Sequence, residues 1–203
     1  GPEVETVRRT LAPLLEGQTI TDAWVSRFSL RTKTTRKAFV PLLGQRVVAV
    51  ERHGKLLWFR TAADSGAMIR LGMTGQVSVV EPRVPRAKHT HVRLSLDGGR
   101  ELRYVDARRF GDVLPFPNLA ALTAERERLG PDPLTFTPED VDLVTTTLGK
   151  TQRRIKDALL DQAVVAGVGN IYVCEALFYA GVDPRRRANS VSKSRRRKAV
   201  EAV

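Results

Sequence analysis

Residues 155–172 constrain the fold more than any other stretch of the chain. Lys156-Asp157-Ala158-Leu159-Leu160-Asp161-Gln162 has helical spacing, with Ile155, Ala158, Leu159 and Gln162 on one face. Val165-Ala166-Gly167-Val168-Gly169-Asn170-Ile171-Tyr172 then reads as a sharp turn opening a second helix, on which Ile171, Cys174 and Phe178 share a face. The N–H groups of a helix start lack intrahelical partners and carry partial positive charge, so a glycine turn at that point can hold a phosphate. Gly167-Val168-Gly169 is a weak match to nucleotide loops, because no strand leads into it and a third glycine is missing.

The 203 residues carry a formal net charge of +12. A balance this basic favours a polyanion, chiefly nucleic acid and less often an acidic membrane surface. Length allows one or two domains. Cys174 is the one cysteine, which excludes an internal disulfide and a Cys-rich zinc site within the chain, and is compatible with a reducing, intracellular setting. No apolar run approaches the length needed to cross a bilayer.

The organisation follows from turn signals. Pro2, Glu3 and Glu5 suit a helix start; Val4, Val7, Leu11 and Leu14 fall on one face, and Gly17 offers a stop. Strand-like runs follow at Arg46–Val50 and Leu56–Arg60 around His53-Gly54-Lys55, and at Ala67–Leu71 and Gln76–Val80 around Gly72-Met73-Thr74-Gly75. His91–Leu96 and Glu101–Val105 flank Asp97-Gly98-Gly99, a hairpin signal. Short strands with Gly-rich turns indicate an antiparallel sandwich or barrel. Prolines punctuate the chain after Phe116, with a short helix expected around Leu119–Leu129, and Thr137-Pro138-Glu139-Asp140 reads as a capped helix start. The tail from Asp183 is rich in arginine and lysine, and reads as a solvated, partly disordered end rather than a specific contact.

Four further groups can carry chemistry. Lys55, at a hairpin tip beside Gly54, can reach a phosphate or an electrophilic sugar carbon, or be a plain exposed lysine. Met73 sits in a turn, where an apolar wedge can enter a base stack or simply pack the loop. In Asp106-Ala107-Arg108-Arg109-Phe110-Gly111, an arginine can fill the hole left by an extruded base, Phe110 can wedge beside it, and Asp106 can pin one guanidinium; a surface ion pair over a buried Phe is the plainer reading. His89 and His91 stand at i, i+2, on one side of a strand, where a phosphate or orienting backbone contact is favoured over a metal, since no third ligand is near. Asn170 caps the second helix or offers its amide to a phosphate, with Lys150, Arg153 and Lys156 on the approach side.

Together and in this order, Pro2-Glu3-Val4-Glu5-Thr6-Val7-Arg8-Arg9, His53-Gly54-Lys55, Leu71-Gly72-Met73-Thr74-Gly75, Lys88-His89-Thr90-His91, Asp106 to Gly111 and Leu160 to Tyr172 resemble the bacterial formamidopyrimidine-DNA glycosylases, on the Fpg rather than the Nei branch. The resemblance covers nearly the whole chain. It implies an α+β fold: an N-terminal antiparallel β-sandwich flanked by helices over 1–116, a linker over 117–133, and an all-α helix-two-turn-helix domain over 134–203. It implies base-excision repair, in which a DNA glycosylase removes oxidised purines such as 8-oxoguanine and formamidopyrimidines, then nicks the strand as an AP lyase through an amine–sugar intermediate. Met73, Arg108 and Phe110 would fill the duplex; Lys55, His89, Lys150, Lys156 and Asn170 would grip phosphates, and Lys55 would also assist elimination. The implied partner is double-stranded DNA carrying oxidised bases or abasic sites, bound by a monomer in the bacterial cytoplasm at the nucleoid, with no membrane.

The chain departs from the family pattern at both ends. Gly1 aligns with the family's third position, so the Pro-Glu nucleophile pair is expected to precede it; aligning Pro2 as the amine would place that amine inside the first helix. The family's C-terminal zinc finger is expected beyond Val203, so one zinc belongs to the full-length protein and none to these residues. The rival expectations are a non-catalytic fragment that binds damaged DNA and an RNA-binding helix-two-turn-helix protein.

Overall fold

A computed structural model describes residues Gly1–Val203. Helix α1 spans Pro2–Leu15 and buries Val4, Leu11 and Leu15. Glu5 ties it down: its carboxylate takes Arg8 and Arg9 on the same helix and Arg52 at 3.1 Å, the last at the end of a strand. These guanidinium groups, Arg8 first, hold the Glu5 carboxyl far below the usual carboxylate range against the opposing effect of burial.

Eight strands follow: β1 (Ile20–Val25), β2 (Val47–His53), β3 (Leu56–Thr61), β4 (Gly66–Arg70), β5 (Gln76–Val80), β6 (Thr90–Leu96), β7 (Glu101–Val105) and β8 (Asp112–Phe116). They form two four-stranded sheets, ordered β1-β6-β7-β5 and β2-β3-β4-β8. β6 and β7 pair antiparallel across the expected hairpin. The strands on either side of Met73 do not form one: β4 pairs β3 and β8, while β5 pairs β7. The Met73 turn is therefore a crossover from one sheet to the other. One apolar cluster, including Ile20, Val47, Leu57, Phe59, Ile69, Leu94, Leu102 and Tyr104, draws on both sheets. Burying each large side chain contributes about 1.5–3 kcal/mol.

Two edge strands escape a reading based on alternation. β1 contains exposed Thr21 and half-buried Asp22, and β8 contains Pro115. An edge strand tolerates both a charge and a proline, because one side of its backbone has no ladder to complete. The central strands β3 and β4 are buried at nearly every position, not at every second one.

The helices are α2 (Leu119–Arg126), α3 (Pro138–Lys150), α4 (Ile155–Leu160), α5 (Asn170–Tyr179) and α6 (Lys193–Glu201). Thr137 and Asp140 form a reciprocal capping box at the start of α3. A second core, with Val144, Leu148, Ile155, Leu159, Val173 and Leu177, includes Val191, Ala199 and Val200. The basic tail is thus ordered, contrary to the expectation of a partly disordered end: a few apolar residues spaced among the arginines anchor α6. On α5 the apolar residues Ile171 and Phe178 do share a face with Cys174, but it points outward; Val173, Ala176 and Leu177 make the buried side. By contacts the chain forms two units, one of Glu3–Arg52 and Leu56–Ala124, the other of Gly1–Pro2, His53–Lys55 and Glu125–Val203. The fold class is α+β, a β-sandwich and a helix-two-turn-helix domain.

Candidate nucleic-acid interface

Asp106 organises the candidate residues of the sandwich unit. Its side chain is fully buried. Oδ1 accepts the Thr74 hydroxyl at 2.5 Å and the Arg108 N–H at 3.1 Å; Oδ2 accepts the Gly111 N–H at 2.9 Å and the Tyr104 hydroxyl at 3.3 Å. Burial pushes this carboxyl up, but the Thr74 hydroxyl and the N–H groups of Gly111, Arg108 and Arg109 outweigh it, and the net shift is downward. Burial and the Asp106 charge push the Tyr104 phenol up. Asp106 therefore binds no guanidinium, contrary to the pairing expected from sequence: its oxygens are taken by hydroxyl and backbone donors. It clamps two loops, the one carrying Met73 and the one carrying Arg108 and Phe110.

The clamp leaves three side chains outside. Met73 is 72% exposed and Phe110 49% exposed, and the Arg108 guanidinium lies 4.6 Å over the Phe110 ring. Phe110 is thus not the buried residue of the plainer alternative. The two loops touch through their backbones: a Cβ placed on Gly72, where φ is +61°, would meet the Phe110 carbonyl carbon at 2.8 Å. Gly111 is equally closed, since a Cβ there would fall 1.9 Å from the Tyr104 oxygen. Thr74 and Tyr104 are the polar partners that sequence reasoning passed over, because neither stands out until Asp106 is seen buried between them.

The two histidines part company. β6 has an irregularity between Thr90 and Val92, and His91 at that point is buried, its ring nitrogens 3.0 Å from the Ser26 hydroxyl and 2.9 Å from the Asp106 carbonyl. A bulge re-aims a side chain in this way. His89 lies in the turn before β6, exposed. The pair does not share a strand face, and it is His89 that remains open to a ligand. No group of three or more His, Cys, Asp or Glu residues could hold a metal ion. The family's zinc does not fit the residues of this chain.

The helical unit has its own cluster, built around the glycine turn. Gln162 is its organiser: its amide donates to the Leu160 and Val168 carbonyls, and its oxygen accepts the Gly167 N–H at 2.9 Å. The sequence spacing placed Gln162 on the core face of a helix, but α4 ends at Leu160. Gly167 has φ +88°, and a Cβ there would lie 2.9 Å from the Gly54 Cα and 3.0 Å from the Gly1 nitrogen. Gly54, at φ +59°, is the matching small residue. Asp132 accepts the Gly54 N–H at 2.8 Å, His53 reaches the Gly130 carbonyl at 2.8 Å, and the Gly1 amine donates to the Gly54 carbonyl at 2.9 Å. Asp132 stands between two prolines that in sequence look like punctuation alone.

Lys55 is delivered to this turn. Its Nζ donates to the Val168 carbonyl at 2.8 Å, and would lie 3.6 Å from a Cβ on Gly169. The N-cap of α5 is Gly169, with no side-chain hydrogen bond, so Asn170 is not the cap; it is exposed at the first helical position. The first N–H groups of α5 therefore lack a side-chain acceptor. Lys150 ends α3, exposed, and Lys156 is half-buried in the first turn of α4; neither is hydrogen-bonded through its side chain to the 167–170 turn. Arg153 is occupied, binding Asp161 at 2.6 Å and the Asp157 carbonyl, and it is the main cause of a lowered Asp161 carboxyl.

Comparison with known proteins matches these two units to two family descriptions. Residues 1–113 match the formamidopyrimidine-DNA glycosylase N-terminal domain, and residues 129–203 match the formamidopyrimidine-DNA glycosylase H2TH domain. The formamidopyrimidine-DNA glycosylase of Pseudomonas paraeruginosa is 44% identical over 204 residues, covering 100% of this chain and 74% of that protein. That of Pseudomonas fluorescens is 45% identical over 197 residues, covering 96% of this chain and 71% of its own length. Among solved structures, Lactococcus lactis Fpg in complex with DNA containing N7-benzyl-Fapy-dG has a TM-score of 0.86 at 31% identity, with 99% of this chain and 74% of that chain covered. MutM in complex with DNA containing carbocyclic 8-oxo-G has a TM-score of 0.87 at 32% identity, with 100% and 75% covered. With the sandwich, the helical domain and the matches agreeing along its length, the chain belongs to the formamidopyrimidine-DNA glycosylase family of DNA glycosylases.

Proposed function

We propose that this protein acts in base-excision repair, removing oxidised purines such as 8-oxoguanine and formamidopyrimidine from double-stranded DNA and cleaving the strand at the abasic site. The observation that carries the reading is the Asp106 clamp, which holds Met73, Arg108 and Phe110 outside the core on two joined loops. Extruding a nucleotide costs about a few kcal/mol in lost stacking and pairing. Apolar Met73 and Phe110 offset part of that cost by restacking, and Arg108 offers donors to the orphaned partner base.

The helical unit grips the backbone. Uncapped N–H groups at the start of α5, with Asn170 and the Lys55 ammonium, suit a phosphate flanking the extruded nucleotide. His89, Lys150 and Lys156 serve neighbouring phosphates. In the chemistry, a secondary amine bonds to the sugar C1′ as the glycosidic bond to the departing base breaks, and the iminium ion formed acidifies the neighbouring C–H bond for elimination; that attack is not assigned to Lys55. Lys55 is the catalytic lysine of this reading, assisting that elimination while neutralising a phosphate. We assign residues 1–116 to the sandwich domain, 117–133 to a linker and 134–203 to the helix-two-turn-helix domain. The protein works as a monomer in the bacterial cytoplasm.

The test is excision. A duplex with one 8-oxoguanine is incubated with the protein, followed by borohydride trapping of the iminium ion. The reading expects release of the base, a nicked strand and a trapped complex. Preferential binding to abasic duplex without trapping keeps damage recognition and removes catalysis; no preference over undamaged duplex overturns the reading.

A further inference from the structure

Beside the Arg108 loop, the sandwich unit carries a hollow of about 650 Å³, bounded by the end of β1 with residues 26–28, by the 86–89 turn, and by Ala107 and Arg109. Arg27, Arg86, Lys88 and Arg109 line it, and no carboxylate does. None of these four cations takes part in an ion pair, whereas Arg36, Arg60, Arg93 and Arg103 of the same unit each hold an acid. Three of the guanidinium groups lie against rings instead: Arg86 is 4.6 Å from the Trp24 centroid, and Arg27 and Arg109 are 5.0 Å and 5.9 Å from that of Phe28. Stacking fixes a guanidinium by its face and leaves its in-plane N–H fork free, the part that matches a phosphate.

The backbone couples this hollow to the wedge. Arg109 is one of two non-glycine residues with positive φ, at +58°. Its guanidinium goes to Phe28, while that of Arg108, its neighbour, goes to Phe110. Two adjacent arginines of one clamped loop therefore address two places.

We propose that the hollow binds a sugar–phosphate step of the strand opposite the lesion. This rests on the reading that Arg108 enters the gap and meets the orphaned base. Arg109 stands one Cα step of about 3.8 Å away, so the backbone nearest that base is the one that meets the hollow. The chemistry required of the ligand is a phosphodiester; the lesion strand is its other possible source.

The experiment compares the wild-type protein with Arg27→Ala/Arg86→Ala, and with Arg86→Gln as a milder second variant. Each is titrated with an abasic-site duplex, unsubstituted or with one uncharged methylphosphonate linkage placed at successive positions on either strand. The expected result is roughly tenfold weaker binding by the double variant, with the log K against log salt slope reduced by about 1–2. Wild type should lose affinity at a methylphosphonate on the opposite strand, and the variants should be insensitive to that same linkage. Unchanged binding by both variants, or lost sensitivity confined to the lesion strand, overturns the inference and leaves the glycosylase reading standing. A wild-type protein with no preference for the abasic duplex overturns the wedge reading and this inference with it.

Discussion

Replacing Asp106 by asparagine should loosen both wedge loops at once. The carboxylate serves one pair of donors on each oxygen: Thr74 Oγ1 and the Arg108 N–H on one, the Gly111 N–H and Tyr104 Oη on the other. Either orientation of an asparagine amide turns an NH₂ toward one of these pairs. A buried donor without an acceptor costs about 1–3 kcal/mol. Tyr104 keeps the Arg70 carbonyl at 3.1 Å, which limits the loss. A total of about 2–4 kcal/mol follows from one stranded pair and the lost charge-assisted bonds. At about 2–4 °C per kcal/mol for chains of this size, the melting temperature should fall by roughly 5–15 °C. The pH dependence has a defined sign. The folded-state pKa of Asp106 is lowered, so its stabilisation is present above the unfolded value of about 3.9 and is lost as pH falls through the folded value. The gap between wild type and Asp106→Asn in thermal melts should hold from neutral pH down to about 4 and narrow below it. Equal melting at pH 7, or a gap that does not narrow in acid, would refute the clamp.

The remaining predictions separate display from stability. Met73→Ala and Phe110→Ala should shift stability by no more than about 0.5 kcal/mol, because both side chains are exposed, yet lower excision of 8-oxoguanine more than tenfold in single-turnover assays. Lys55→Ala should weaken binding to abasic duplex and reduce the salt slope by about 1, and strand nicking at the abasic site should fall with it. Gly167→Ala should destabilise by more than about 1 kcal/mol in urea melts, since its φ is +88° and the new Cβ would press on the Gly54 Cα.

The legible part of this molecule is the part with local signals. The β6–β7 hairpin announces itself through Asp97-Gly98-Gly99, and the α3 start through Thr137 and Asp140, because turn and cap chemistry act within a few residues. Edge strands β1 and β8 were hidden by Asp22 and Pro115, which such strands tolerate. The candidate residues Met73, Arg108, Phe110 and Lys55 stand out by type and loop position. What joins them does not. Asp106 looked like an arginine partner, His91 like a twin of His89, and Gln162 like a core-facing helix residue. Each makes most of its bonds to backbone or to residues distant in the chain, so its partners had to be known before its role could be. Asn170 failed as a cap for a similar reason: one residue of helix boundary, at Gly169, decides whether its side chain is engaged.

The central claim is that three displayed side chains open the duplex. A 2-aminopurine placed beside the lesion reports unstacking by its fluorescence. Wild type should raise that emission on binding, and a Met73→Ala/Arg108→Ala/Phe110→Ala protein, bound at saturating concentration, should leave it near the level of free duplex. A full rise in emission with the triple variant would contradict the account.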